Sequence, residues 1–175
     1  MRLIVTGQRE DGLSVYVADE KVEPVLPPTL GGNEIYRLWG SDEPPILPTE
    51  GSRPDAPAYY APAHGYRFSF FTIPSAAFEA EPIKDIDAAI AETERLTPGL
   101  SAALTDHEGM HATDTVDLLL VISGEVHLEL DSGEVKVIKA GDCCVQNGTN
   151  HAWYNRHPTE PCVICAIFIG AERRP

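Results

Sequence analysis

The sequence predicts an all-β protein built on an antiparallel sandwich or barrel. After residue 110, nearly every segment is a short apolar or β-branched run. These runs are separated by turn sequences such as SG, DSG, AGD and NGTN, at the regular spacing that is typical of such folds. In contrast, only residues 84–99 show convincing helical periodicity.

The first hundred residues are less regular. Two β-like runs around Asp11-Gly12 predict a hairpin over residues 1–22. Residues 23–62 hold 9 of the 15 prolines, so we expect an irregular arm that packs on the protein surface. The run HGYRFSFFTIP predicts a strand, and a short helix follows, with Asp85 as its N-cap and Pro98-Gly99 at its end.

The predicted strands of the C-terminal part cover residues 111–122, 125–130, 134–141, 142–148, 151–155 and 162–170. If the first of these begins at His111, then Thr113, Thr115 and Asp117 lie on the same face as His111, because side chains alternate along a strand. A polar face on an otherwise apolar strand indicates contact with water or with a ligand.

At 175 residues, the chain is expected to form one structural domain. We predict that residues 107–172 form the barrel core and that residues 1–106 pack on it. The net charge of −14 argues against nucleic acid or an anionic membrane surface as a partner. No apolar run reaches the ~20 residues of a membrane span, and the N-terminus lacks a signal-peptide pattern, which predicts a cytoplasmic protein.

The four cysteines invite comparison with a zinc site, because CVIC has C-x-x-C spacing. However, Cys162 and Cys165 would point to opposite faces of a strand, and so would the adjacent Cys143 and Cys144. We therefore predict buried free thiols that pack as small apolar side chains.

Residues 111–124, HATDTVDLLLVISG, resemble the first motif of the cupin superfamily, G-x5-H-x-H-x3-4-E-x6-G. His111 stands at the first histidine, Thr113 at the second, Asp117 at the glutamate and Gly124 at the closing glycine. Thr105 stands where the motif opens with glycine.

Residues 141–155, GDCCVQNGTNHAWYN, resemble the second cupin motif, G-x5-P-x-G-x2-H-x3-N. Gly141, Gly148, His151 and Asn155 match the motif, and Asn147 lies near the proline position. The interval to His151 is one residue shorter than in the motif. The resemblance covers about residues 107 to 169.

The resemblance implies a small β-barrel jelly roll whose mouth holds one divalent metal ion, which could be zinc, iron, manganese or nickel. The implied ligands are His111, Asp117 and His151, and His107 is the candidate acid–base group or fourth ligand. The candidates for substrate contact or for support of the ligands are Thr113, Thr115, Gln146, Trp153 and Arg67. The alternatives are a metal-free polar pocket, core packing for Trp153 and a surface salt bridge for Arg67.

Three functions remain open. The first is a metal-dependent lyase, isomerase or decarboxylase that acts on a small carbonyl or carboxylate substrate, with the metal as Lewis acid. The second is an iron(II) dioxygenase, and the third is a non-catalytic module that binds a small molecule without metal. Similarity to cupins also suggests a homodimer in which the sheets or the N-terminal arms meet.

Overall fold

The computed structural model describes residues 1–104 and 109–174. Its elements in chain order are β1 (Arg2–Gln8), β2 (Ser14–Lys21), a 3-10 turn (Pro28–Leu30), β3 (Glu34–Ser41), β4 (Tyr66–Ile73), α1 (Ile86–Leu96), α2 (Leu100–Ala103), β5 (Thr115–Ser123), β6 (Glu125–Leu130), β7 (Val135–Lys139), β8 (Cys143–Asn147), β9 (His151–Tyr154) and β10 (Cys162–Gly170). The strands pair antiparallel in three sheets, with the orders β1-β2, β3-β4-β10-β5-β8 and β7-β6-β9. The all-β class is confirmed, and the two larger sheets form a cupin-type β-barrel.

The core lies between the two larger sheets. Along β10, the alternate residues Cys162, Ile164 and Ala166 are completely buried, because successive side chains point to opposite faces of the sheet. Val126 of β6, in the three-stranded sheet, is also completely buried and belongs to the same cluster. The β10 residues and Val126 thus place apolar side chains from both sheets in one core.

Two glycines that match the cupin motifs stand where the chain leaves one sheet for the other. Gly124 joins β5 to β6 at φ +73°, and a Cβ atom there would lie 2.4 Å from the carbonyl oxygen of Pro161. Gly148 lies between β8 and β9 at φ +59°, where a Cβ would lie 2.8 Å from the carbonyl oxygen of Thr113. Both positions need the left-handed conformation and the missing side chain of glycine.

The predicted helix is observed as α1. The side chain of Asp85 accepts a hydrogen bond from the backbone N–H of Ala88 at 3.0 Å, so Asp85 is the N-cap as predicted. The sequence did not predict the short helix α2, which follows Gly99 directly. In the described ranges, no helix has the length and apolar character needed to cross a membrane.

The N-terminal half contributes more to the barrel than the sequence predicts. Residues 34–41, expected in an irregular arm, form β3 and pair with β4, which pairs with β10. The five-stranded sheet therefore extends beyond the predicted core of residues 107–172. The hairpin is observed as β1 and β2, and it contacts the arm through a bond from Gln8 N–H to the carbonyl of Thr49 at 2.8 Å.

The prediction that this strand begins at His111 is wrong, because β5 begins at Thr115. The chain crosses between the sheets over residues 111–115, and His111 pairs with His151 at the edge of the other sheet. The C-terminal tail binds the backbone of this crossing segment. The Ala171 N–H donates to the carbonyl of Asp114, and the Arg173 guanidinium donates to that of Thr113. These hydrogen bonds occupy backbone carbonyls that a longer β5 would use to pair with a neighbouring strand.

The cysteines are free thiols. Cys162 is buried, as predicted, and burial raises the pKa of its thiol to about 11. Cys143 is exposed, so the prediction of burial is wrong for this residue. Cys143 pairs with Leu120, whose side chain lies on the outer face of β5. Paired residues point to the same face of a sheet, so Cys143 also points outward.

Candidate functional site

A cavity of about 480 Å³ opens between the five-stranded and three-stranded sheets. The helical segments and the 3-10 turn also contribute to its wall. The lining residues that matter for the site are Tyr59, Tyr60, Ser101, His111, Asp117, Leu119, His151, Trp153 and Phe168. A largely apolar cavity of this size with a few polar groups is typical of a small-molecule site.

His111 and His151 form one wall of this cavity. Their backbones exchange hydrogen bonds, at 2.9 Å from His111 N–H and at 3.0 Å from His151 N–H. Their ring centroids lie 4.4 Å apart. The two imidazoles are brought together by the isolated bridge, since directly opposed residues of an antiparallel pair place their side chains on the same face.

Both imidazoles are held in one tautomer. Nδ1 of His111 lies 2.9 Å from the carbonyl oxygen of Gly109, and Nδ1 of His151 lies 2.8 Å from that of Thr149. A carbonyl oxygen can only accept, so each Nδ1 carries the hydrogen and each Nε2 keeps its lone pair. Burial lowers the pKa of both rings, that of His151 to about 4, so both are neutral near pH 7.

Asp117 lies on the five-stranded sheet and lines the same cavity, with 5% of its surface exposed. Burial raises the pKa of its carboxyl group to about 6, and a hydrogen bond with the Thr115 hydroxyl opposes this shift. Its Oδ1 has no hydrogen-bond partner among the residues that the structure describes. A buried carboxyl oxygen without a partner is costly, which makes this atom a candidate contact for a ligand.

The electrostatic neighbours of Asp117 are aromatic. Burial, with a further contribution from the Asp117 carboxylate, raises the pKa of Tyr59 and of Tyr60. The neighbour of His151 is instead His111, which adds to the lowering of the His151 pKa that burial causes. The cavity therefore has a neutral imidazole pair and a separate carboxyl group.

The predicted metal ligands are only partly brought together. Within residues 1–104 and 109–174, no three side chains of His, Cys, Asp or Glu are close enough to hold a metal ion. The donor chemistry of His111 and His151 does fit a divalent ion, since each offers an Nε2 lone pair and has its Nδ1–H bound to a carbonyl. The structure thus brings two imidazole groups together, and metal binding, with Asp117 as a third ligand, stays a prediction.

The other predicted site residues differ in their placement. Trp153 lines the cavity, with its ring centroid 6.0 Å from that of His151. The Thr113 and Thr115 hydroxyls bond each other at 2.7 Å, so they support the chain beside Asp117. Gln146, opposite Asp117 in β8, donates to the hydroxyl of Thr149.

Arg67 does not line this cavity. It is 3% exposed and donates to the carbonyl oxygens of Ala58, Ser41 and Tyr66. It also forms an ion pair with Asp42 at 2.5 Å. These bonds occupy the guanidinium, so the structure gives Arg67 a role in joining the arm to β4. His107, the predicted acid–base group, lies outside the described residues.

Sequence reasoning missed several residues of the wall. Tyr59 and Tyr60 come from the Pro-rich arm, and Ser101 comes from α2. The Tyr59-Tyr60 pair within a proline-rich stretch was a usable signal, because large aromatics in an exposed arm would be unusual. Ser101 gave no such signal.

Comparison with known proteins supports the cupin resemblance over part of the chain. No protein-family model matches the chain. Phomopsin biosynthesis cluster protein D of Diaporthe leptostromiformis is 52% identical over 66 residues, which are 38% of this chain and 34% of that protein. The cupin-domain-containing oxidoreductase virC of Hypocrea virens is 44% identical over 46 residues, 26% of this chain and 24% of that protein.

The chain thus spans at most about a third of the length of these curated relatives. Among solved structures, a cupin-like protein from Thermotoga maritima matches with a TM-score of 0.43 and 10% identity, over 79% of this chain and 69% of that one. The oxidoreductase match and the barrel described above confirm the predicted resemblance to the cupin superfamily.

Proposed function

From the premise that this chain has a cupin-type fold, we propose that it is an enzyme for a small organic carbonyl compound. The substrate would lie in the cavity between the sheets, and Asp117 would move a proton to or from it. The observation that carries this proposal is the buried Oδ1 of Asp117, which lines the cavity without a hydrogen-bond partner among the described residues. The relatives named as oxidoreductases support an enzymatic role in general.

Asp117 suits general base catalysis. A carboxyl group with a pKa of about 6 is largely ionised at pH 7, yet it binds a proton far better than an exposed aspartate. Its apolar and aromatic neighbours Leu119, Tyr59 and Phe168 keep water away from the proton that is transferred. The reaction class would be proton transfer next to a carbonyl group, as in isomerases, lyases and decarboxylases.

His111 and His151 would supply the opposite side of the site. With Nδ1–H fixed on a backbone carbonyl, each ring presents Nε2 as a hydrogen-bond acceptor or as a metal ligand. We propose these two nitrogens as the protein ligands of a divalent ion. Such an ion, when bound, would polarise the substrate carbonyl as a Lewis acid.

The experiment is deuterium exchange. Purified protein, with and without added Zn²⁺, is incubated in D₂O with a panel of neutral ketones and aldehydes, and the loss of the α-proton signals is followed by NMR. We expect exchange with the wild type and strongly reduced exchange with Asp117→Asn. The matched control is Asp131→Asn, because Asp131 is exposed in the turn after β6.

Absence of exchange by the wild type, with and without added metal, would contradict the proposal. Saturable binding of a carbonyl compound in that case would favour the non-catalytic binding module. A second candidate function is an iron(II) dioxygenase, which belongs to the oxidoreductases, the class in the name of the relative virC. Oxygen consumption by the iron-loaded protein, measured with an oxygen electrode over the same panel, would distinguish it.

A further inference from the structure

The described residues of the cavity wall carry no positive charge. Among its lining residues in the described part of the chain, Asp117 is the only one with a formal charge at neutral pH. The nearby arginines are occupied elsewhere: Arg37 donates to carbonyls of residues 56–58, and Arg67 is paired with Asp42. A carboxylate or phosphate group would enter this cavity beside the Asp117 carboxylate, without a cationic partner from these residues.

Two buried polar atoms in this wall lack a hydrogen-bond partner within residues 1–104 and 109–174. They are Oδ1 of Asp117, on β5, and Oγ of Ser101, on α2. The third such atom among the described residues, Nδ1 of His127, does not belong to the cavity lining. Since buried polar groups are normally satisfied, two unpaired atoms in the same cavity indicate a ligand with two polar functions.

The requirements of the two atoms differ. An ionised Asp117 only accepts hydrogen bonds, so its partner must be a donor such as a hydroxyl group. The Ser101 hydroxyl can donate, so a carbonyl or ether oxygen is a suitable partner. The remainder of the wall includes flat aromatic rings and branched aliphatic side chains, among them Tyr59, Phe71, Trp153, Phe168 and Ile35. This lining favours an aromatic or alkyl body between the polar functions.

We propose that the cavity, without a bound ion, binds an uncharged, mainly apolar molecule with two oxygen functions, a hydroxyl that binds Asp117 and a second oxygen that binds Ser101. This inference concerns binding alone and does not depend on the proposed reaction. The preference for a neutral hydroxy-carbonyl compound over its acidic counterpart comes from the cavity wall itself. The net charge of −14 acts in the same direction, because it repels anions at longer range.

Binding of matched probes tests this inference. 6-Hydroxy-2-acetonaphthone is neutral, 6-hydroxy-2-naphthoate replaces its acetyl group by a carboxylate, and 2-acetonaphthone lacks its hydroxyl. Dissociation constants are measured at pH 7.0 by isothermal titration calorimetry with the chelator-treated wild-type chain, because a divalent ion on His111 and His151 would itself attract the naphthoate. We expect the neutral hydroxyketone to bind about tenfold more tightly than the naphthoate, a difference of about 1.4 kcal/mol. It should also bind more tightly than 2-acetonaphthone.

Variants locate the probe in the cavity. Ser101→Ala should weaken binding of the hydroxyketone about three- to tenfold, as expected for one hydrogen bond. Asp117→Asn should reduce the advantage of the hydroxyketone over 2-acetonaphthone. Ser132→Ala is the matched control, because Ser132 is exposed in the turn before β7. Circular dichroism confirms that each variant is folded.

The inference is overturned if the naphthoate binds as tightly as the hydroxyketone, if the hydroxyketone shows no saturable binding, or if neither cavity variant changes its affinity. Deuterium exchange keeps this result separate from the proposed function. Selective binding of the neutral probe without exchange of any carbonyl compound would support the ligand class and contradict the enzymatic role. Exchange of a carbonyl compound together with tighter binding of the naphthoate would support the enzymatic role and contradict the ligand class.

Discussion

His111 and His151 exchange both of their backbone hydrogen bonds and hold their rings 4.4 Å apart. This pairing joins the segment before β5 to the edge of the three-stranded sheet. Asp117, six residues after His111, lies on the other large sheet. The distribution over two sheets separates an imidazole wall from a carboxyl wall, and it suggests distinct roles for residues that the sequence placed on one strand face.

The imidazole pair is predicted to be the metal site. Substituting His151→Gln removes one of two adjacent Nε2 ligands, so metal content should fall from about one ion per chain to near none. Metal is measured by elemental analysis after reconstitution with Zn²⁺ and gel filtration. His64→Asn is the control, since His64 is exposed and does not line the cavity. Full retention of metal by His151→Gln would contradict the two-histidine site.

Asp117 is predicted to act as a base. Asp117→Asn keeps the shape of the side chain but removes its proton acceptor, so α-proton exchange should fall by about 10²–10⁴-fold. Metal content should remain near that of the wild type, because Asp117 is not part of a three-residue cluster in the described chain. A large loss of metal in this variant would instead identify Asp117 as the third ligand. Asp131→Asn should change neither quantity.

The stability of chelator-treated protein should report the buried carboxyl group. The pKa of Asp117 is about 6 in the fold and has an ordinary value of 3.8, so the folded state holds this proton more tightly than the unfolded state. The contribution is therefore present at low pH, and the free energy of unfolding falls as pH rises from about 4 to about 6.

Asp117→Asn removes this pH-dependent loss of unfolding free energy. The variant should be more stable than the wild type at pH 7.5, by up to about 3 kcal/mol, and nearly equal to it at pH 4. His151, whose pKa is lowered to about 4, destabilises both proteins as pH falls below about 6.5, so its effect cancels in the difference. Urea unfolding at the two pH values measures this difference. A constant difference between them would contradict the raised pKa.

The sequence predicted most of the C-terminal barrel because its strands are short, apolar and bounded by turn residues. It failed where partners distant in the chain decide the structure. Residues 34–41 form β3 by pairing with β4, although the surrounding prolines suggested an irregular arm. His111 lies outside β5 because the C-terminal tail binds the backbone of residues 113 and 114. Periodicity within one segment contains no information on such contacts.

The same limit applies to the site. The two motifs identified His111, Asp117 and His151, and strand alternation from His151 added Trp153; all four line the cavity. The motifs did not predict that a separate arm and α2 close the opposite wall, since Tyr59 and Ser101 are distant in sequence and carry no motif. The sequence left Arg67 open as a ligand-binding cation or as a surface salt bridge, and in the structure its guanidinium is buried and bound to the arm.

The outer face of the five-stranded sheet carries two complete cross-strand rows without a charged residue. The strand register aligns Val145, Leu118, Ile167, Phe68 and Trp39 in one row and Cys143, Leu120, Cys165, Phe70 and Tyr36 in the other. The five strands span about 19 Å at the usual ~4.8 Å spacing. Arg53 lies over the Trp39 ring at the β3 end. In a chain with a net charge of −14, the rest of these two uncharged rows is where a second copy can approach with little repulsion.

The predicted homodimer should therefore form through this sheet face, with the same surface on both copies as a two-fold axis requires. Leu118 is 40% exposed and lies between Val145 and Ile167 in its row, so Leu118→Glu should place like charges across the axis and give a folded monomer. The control is Ile83→Glu, because Ile83 is similarly exposed but precedes α1. Light scattering coupled to gel filtration should give about twice the 19.0 kDa chain mass for the wild type and the control, and the chain mass for Leu118→Glu. A wild type that remains monomeric at high concentration would contradict the dimer, and a dimer that survives Leu118→Glu would assign it to another surface.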